Sequence, residues 1–255
     1  MKRILLIIIV IFVTPMVLQM DLLNVLKMRT FDQLVSTPEE SGNFVIVNIT
    51  EEDVEKEGGY PLPRQRLAAI TNEIMDKGAL GVGWVIAFPQ PDRLGGDEAF
   101  AESLSMYASV LAMFEDESGN YPKTTGTIIK GDEKGGILIK GVKENLDILK
   151  DNSLQGLAIS PTEVDQLVRR IPLLVKTPEG WSASFGTQIY KSLFGVKSYI
   201  ITTNDVGIQE IAIRGIPPVK TDSLGRKWIS WVDTKQTDLE ELDVNGRYAI
   251  VFFFF

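Results

Sequence analysis

The fold class follows from an uncharged stretch of ten residues, ALGVGWVIAF, at positions 79–88. A continuous apolar run of this length predicts a strand that is covered on both faces of a sheet. Directly before it, residues 64–77 place Leu67, Ile70 and Ile74 at helical spacing. The two patterns together predict a helix that leads into a buried strand.

The same alternation continues outward on both sides of this stretch. Residues 44–49 and 110–114 are apolar runs typical of buried strands, and residues 97–107 have helical spacing. Strands and helices that alternate at these lengths predict parallel strands joined by right-handed crossovers. We therefore predict an α/β fold with a central, largely parallel sheet and helices on both faces. Weaker patterns predict helices at 143–152 and 184–193, and strands at 169–175, 198–203, 209–213, 228–232 and 248–255.

The N-terminus predicts one transmembrane helix before this fold. Lys2 and Arg3 precede residues 4–20, which carry no charge and as a helix would span roughly 26 Å of the ~30 Å hydrocarbon core. The positive-inside rule then makes residues 1–26 a membrane anchor with a short cytoplasmic start. Residues 27–255 would lie outside the inner (cell) membrane, in the periplasm or the extracellular space. A cleaved signal peptide and a buried core helix are the alternatives.

Composition excludes several classes of function. The net charge is 26 − 34 = −8, which argues against nucleic-acid binding because that needs a basic face. The absence of His and Cys excludes Ser-His-Asp triads, Cys nucleophiles and Cys/His zinc sites. We predict no catalytic residues, no metal site and no cofactor, and we do not expect an enzyme. An exported carboxylate hydrolase, which would use Asp92 and Asp97, is a rival hypothesis.

Five polar residues are candidates for a ligand site at one edge of the sheet. In open parallel sheets, ligands bind beyond the carboxyl ends of the strands, where the chain places Gln90, Asp92 and Arg93 together with Thr50 and Glu51. Arg64, which follows the same crossover, and Asp97 complete the five candidates. An arginine with two or three acids can hold a small polar ligand through paired hydrogen bonds. The alternative is a structural ion pair between Asp92 and Arg64 or Arg93.

A second candidate is the arginine pair Arg169-Arg170, which resembles an anion site. The alternative is that one arginine pairs with Glu163 or Asp165 and the other lies in solvent. Four aromatic residues are candidates either to line a pocket or to pack in the core or at its rim: Tyr60, Trp181, Trp228 and Trp231.

Six segments, in this order along the chain, resemble the CHASE2 domain: 29–32 (RTFD), 58–64 (GGYPLPR), 88–97 (FPQPDRLGGD), 168–174 (VRRIPLL), 217–228 (PPVKTDSLGRKW) and 245–251 (NGRYAIV). The resemblance implies an extracytoplasmic sensor domain behind an N-terminal transmembrane helix, which detects an unknown stimulus or small-molecule ligand. In full-length members it also implies a cytoplasmic cyclase, kinase or similar output, and a homodimer is consistent with it. Members of the family continue past the position of Phe255, so we predict a domain truncated at its C-terminal end.

The sequence departs from the family's pattern at three positions. Thr50, Val85 and Gln90 stand where members usually carry acidic residues. If those acids bind a ligand in other members, this domain binds something different or nothing. An exported soluble solute-binding protein with a cleaved signal peptide remains the alternative function.

Overall fold

A computed structural model describes residues 20–122, 124–195, 198–213 and 216–254. Most of the predicted anchor, residues 1–19, lies outside these described residues, so the prediction of a transmembrane helix there stays a prediction. Within the described ranges, no helix combines the length and the apolar character needed to cross a membrane.

Six helices and fifteen strands are described, and their bounds are as follows. The helices are α1 Met20–Leu34, α2 Glu51–Lys56, α3 Arg64–Asp76, α4 Asp97–Ser105, α5 Asp147–Asp151 and α6 Phe185–Phe194. The strands are β1 Phe44–Thr50, β2 Gly81–Trp84, β3 Ser109–Glu115, β4 Gly126–Lys130, β5 Val142–Lys143, β6 Leu154–Leu157, β7 Arg170–Pro172, β8 Leu174–Thr177, β9 Gly180–Ala183, β10 Ser198–Thr203, β11 Ile208–Ile213, β12 Val219–Lys220, β13 Arg226–Trp228, β14 Gln236–Asp238 and β15 Tyr248–Phe254.

The main sheet has the strand order β14-β1-β15-β2-β3, and β6 and β5 both pair with β3. Every pairing in it is parallel except that of β5 with β3. The predicted sheet of mostly parallel strands is therefore confirmed. One of its inner strands comes late in the chain, because β15 lies between β1 and β2 and separates them.

Helices cover the main sheet through two different sets of side chains. Leu111 of β3 packs in the same buried cluster as Phe100 of α4 and Leu67 of α3. The neighbouring Val110 packs in another cluster with Ile189 of α6. Successive residues of a strand point to opposite faces, so α3 and α4 cover one face and α6 covers the other.

The rest of the chain builds a smaller second region. Its sheet has the order β12-β11-β10-β4, in which only the β10–β4 pairing is parallel. Tyr199, Ile201 and Ile211 form its core together with Trp181, which is 3% exposed. Two further pairs, β8 with β9 and β7 with β13, are antiparallel.

Several predicted elements differ from those observed, and each difference has a local cause. The strand predicted at 169–175 is two strands, because β7 pairs with β13 and β8 pairs with β9. The strand predicted at 228–232 ends at Trp228, and the next backbone amide, that of Ile229, bonds to the carbonyl of Arg169. The helix predicted at 143–152 is confined to α5, since residues 142–143 pair with β3 instead.

One short helix was not predicted. In α2 the Thr50 hydroxyl accepts a hydrogen bond from the Asp53 amide, and the Asp53 carboxylate accepts one from the Thr50 amide. This reciprocal capping box starts a helix immediately after β1. Thr50, one of the three positions where an acid was expected, thus caps a helix.

Candidate functional site

Two acidic side chains of the predicted site hold the loop after β2 against the start of α3. The Asp92 carboxylate accepts hydrogen bonds from the backbone amides of Arg64 (2.6 Å) and Leu94 (3.1 Å). The Asp97 carboxylate accepts one from the backbone amide of Asp92 (2.9 Å). We call Arg64, Asp92 and Asp97 the loop clamp.

The Arg64 guanidinium lies inside this loop clamp. Its Nε is 3.6 Å from Oδ1 of Asp97, an ion-pair distance, and the group stacks 4.3 Å from the centroid of the Phe88 ring. Burial is the main cause that lowers the pKa of Arg64 from its ordinary value. Gly96 permits the close approach of the loop: its φ is +100°, and a Cβ there would lie 2.5 Å from the Gln65 nitrogen.

The other two residues predicted at this edge lie on the surface. Gln90 and Arg93 are exposed, so the structure gathers Arg64, Asp92 and Asp97 but leaves these two outside the loop clamp. Val85 lines an apolar groove of about 590 Å³ with Phe114 and Phe253. At Val85, where members of the family that the chain resembles carry an acid, this sheet edge is therefore apolar.

A second cluster attaches α1 to the rest of the domain. Arg169, 5% exposed, donates to Asp32 of α1 through Nε (2.8 Å) and Nη2 (2.6 Å). It also donates to Asp165 through Nη1 (2.7 Å) and Nη2 (2.8 Å). Beside these three charged residues, the ring centroids of Phe31 and Trp228 lie 4.6 Å apart. We call these five residues the α1 dock.

The hydrogen bonds of the α1 dock fix its charges. Those from Arg169 lower the pKa of Asp165 to about 2 and also lower the pKa of Asp32. The two carboxylates in turn raise the pKa of Arg169. All three groups are therefore ionised at neutral pH, with one positive and two negative charges.

Arg170 is bound in an adjoining network. It donates to both oxygens of Glu163 (2.7 Å each) and to Asp222 (2.9 Å), and its guanidinium stacks 4.9 Å from the Trp228 ring centroid. Arg226 also binds Asp222, at 2.8 Å. Both arginines are thus paired, and the interpretation that left one of them in solvent is wrong.

The four candidate aromatic residues do not share a pocket. Trp181 is buried in the second region, and Tyr60 lies at the carboxyl edge of the main sheet, where its ring meets Phe253 at 5.3 Å. Trp228 and Trp231 line a cavity of about 400 Å³ beside α1, together with Phe31, Asp32, Leu167 and Arg169. We call this cavity the aromatic groove. Among the described residues, no group of acidic side chains is arranged to hold a metal ion.

A sequence model of the CHASE2 domain matches residues 4–251, nearly the whole chain. The chain belongs to the CHASE2 domain family. Searches among curated proteins and among solved structures found no match. The resemblance carried by the six segments is therefore confirmed. CHASE2 domains are non-catalytic, extracytoplasmic sensor domains of membrane receptors.

In this CHASE2 domain the six segments converge on the two clusters. Segments 58–64, 88–97 and 245–251 supply the loop clamp and the strand β15 that runs to the same edge. Three others, 29–32, 168–174 and 217–228, supply the α1 dock and the Arg170 network except for Asp165 and Glu163. Sequence reasoning missed Asp32 as a site residue. The signal that could have found it is its place in a segment that resembles the family.

Proposed function

We propose that this chain is the extracytoplasmic sensor of a membrane receptor, with residues 1–26 as its anchor and residues 27–255 outside the cytoplasm. It would detect a stimulus or small ligand and pass the signal to a cytoplasmic cyclase, kinase or similar output. Membership of the CHASE2 family supports the sensor role. The contact between Asp32 and Arg169 supports α1 as the element that transmits the signal.

The α1 dock joins the helix at the end of the predicted anchor to the body of the domain. α1 has 15 residues, which corresponds to about 22 Å at 1.5 Å per residue. A rigid helix of this length transmits a shift at Asp32 to its other end, next to residues 1–19. A change in the loop that carries Asp165 and Arg169 would thus reach the predicted membrane segment.

α1 is held by few contacts, which suits an element that must move. Leu34, the last residue of α1 and outside the proposed anchor, is 79% exposed, so this end of the helix buries little apolar area. In the described part of the chain, an ion pair with one half-exposed partner and an aromatic pair join it to the rest of the domain. Elements with few buried contacts open at a small fraction of the global unfolding free energy. A ligand with different affinities for docked and released α1 would shift this equilibrium.

Thiol labelling tests the proposed topology, because the chain has no cysteine and an introduced one is the sole label site. Leu94 is 74% exposed, so Leu94→Cys should react with a membrane-impermeant maleimide in intact cells. Lys2→Cys is the matched control and should react only after the cells are permeabilised. A cytoplasmic location of the domain would reverse this result for Leu94→Cys.

Fractionation separates the sensor from the solute-binding alternative. The proposed receptor stays with the membrane after osmotic shock and after alkaline carbonate washing, and its N-terminus is intact by mass spectrometry. Release into the periplasmic fraction, with a mature N-terminus close to residue 20, would instead support a soluble exported binding protein.

A further inference from the structure

We infer that the aromatic groove is a binding site for a small organic cation, such as a protonated or quaternary amine with an apolar body. The further idea that this cation is the stimulus of the receptor rests on the proposed function. The binding itself depends only on the groove and can be measured separately.

The groove has the size and position of a ligand site. Its volume of about 400 Å³ lies within the range of small-molecule pockets, roughly 300–1,000 Å³. Phe31 and Asp32 of α1 form one wall, and Leu167, Trp228 and Trp231 belong to the opposite side. An occupant therefore contacts α1 and the body of the domain at once.

Trp231 presents an aromatic surface to this space. Its side chain is 70% exposed, while its Nε1 donates to the Val168 carbonyl at 3.2 Å, which fixes the orientation of the indole. A large apolar ring held in place and left exposed beside a cavity is typical of a binding surface. The neighbouring Trp228 already carries a cation, the Arg170 guanidinium, over its ring.

The charges around the groove favour a cation over an anion. The α1 dock and the Arg170 network contain three arginines (Arg169, Arg170, Arg226) and four carboxylates (Asp32, Glu163, Asp165, Asp222), so the net charge is 3 − 4 = −1. The arginines are hydrogen-bonded to these acids. The side chain of Asp32 remains 42% exposed and lines the groove. Aromatic faces beside a carboxylate are the chemistry that recognises organic ammonium ions.

The test compares choline with its neutral isostere 3,3-dimethylbutan-1-ol, which has the same shape but no charge. The full chain is purified in dodecyl maltoside, which contributes no ammonium group, and binding is followed by isothermal titration. We expect saturable choline binding and at least about ten-fold weaker binding of the neutral isostere, because the cation–aromatic attraction is lost. Equal affinities, or no saturable choline binding, would overturn the proposal.

Three variants locate the site. Trp231→Ala should weaken choline binding about ten-fold. Asp32→Asn should weaken it by several-fold, because the net charge of the cluster changes from −1 to zero. The control is Tyr190→Ala on α6, an aromatic residue 43% exposed and absent from the groove lining, which should bind as the unmodified chain does. The same affinity for Trp231→Ala and Tyr190→Ala would show that choline binds elsewhere.

The two proposals fail in different ways. Extracellular labelling of Leu94→Cys without choline binding would retain the sensor topology and reject the ligand class. Choline binding to a chain whose Leu94→Cys is shielded in intact cells would retain the ligand site and reject the receptor topology.

Discussion

In the loop clamp the carboxylates of Asp92 and Asp97 bind backbone amides, whereas in the α1 dock the carboxylates of Asp32 and Asp165 bind one arginine side chain. The loop clamp joins segments that are also held by the core beneath α3 and α4. The α1 dock joins a largely exposed helix to the domain through side chains alone. Clusters with the same types of residue therefore differ in what they join: the first fixes the shape of a loop, and the second attaches a helix that we propose can be released while the fold persists.

Replacement of Arg169 should have the largest effect. Arg169→Ala leaves Asp165, whose side chain is 6% exposed, without its cation. Removing one partner of such an ion pair leaves an uncompensated charge, so the unfolding free energy should fall, and α1 should also be released. Urea denaturation and hydrogen exchange of α1 measure the two effects. Arg169→Lys is the control: it keeps the charge but loses the paired geometry, so it should recover only part of the loss. An unchanged unfolding free energy for Arg169→Ala, together with unchanged exchange in α1, would contradict this role.

Replacement of Asp92 should lower stability without releasing α1. Asp92→Ala leaves the amides of Arg64 and Leu94 without their acceptor, which costs about 2 kcal/mol of unfolding free energy. Hydrogen exchange of α1 should stay unchanged, since no bond of the α1 dock is lost. Asp92→Asn retains one acceptor oxygen and should cost less. Faster exchange in α1 would mean that the two clusters are coupled and that their distinction is incorrect.

Acid should weaken the α1 dock within a defined range of pH. The pKa of Asp165 is lowered from 3.8 to about 2, and that of Asp32 is also lowered, both by Arg169. Lowered carboxyl pKa values contribute stability above about pH 4, and this contribution is lost as the pH falls toward 2. The protection factors of the α1 amides, which correct for the slower intrinsic exchange in acid, should therefore fall between pH 5 and pH 2.5. Asp32→Asn should show a weaker pH dependence; an identical profile would exclude Asp32 as one of the titrating groups.

The smallest effect is expected at Gln90 and Arg93. Both are exposed, so Gln90→Ala and Arg93→Ala should change the unfolding free energy by less than about 0.5 kcal/mol. If Gln90 and Arg93 bind a ligand at the sheet edge, these variants should change the affinity for that ligand and leave the unfolding free energy unchanged. A clear loss of stability would instead show that they belong to the loop clamp.

The sequence predicted those parts of the fold that depend on local periodicity. β1, β3, α3 and α4 were predicted because buried runs and helical spacing are properties of neighbouring residues. The division of residues 169–175 between β7 and β8 could not be predicted in this way, since it depends on partners that come later in the chain.

The candidate site shows the same limit. Sequence reasoning placed Arg64, Asp92 and Asp97 together because the carboxyl ends of parallel strands meet at one edge. It could not show that both acids would bind backbone amides. The bond between Asp32 and Arg169 joins residues 137 positions apart, and no spacing rule indicates such a pair.

The position of β15 has a consequence for how the protein is made. In the described sheet, β15 pairs with both β1 and β2 and lies between them, and the hydroxyl of Tyr248 donates to the Val82 carbonyl across 166 residues. Long-range contacts of this kind raise the contact order and slow folding. The main sheet cannot close until its last strand has been synthesised. If the domain is exported as proposed, a chain still in transit lacks its central strand, and this delay would keep it unfolded enough to be threaded across the membrane.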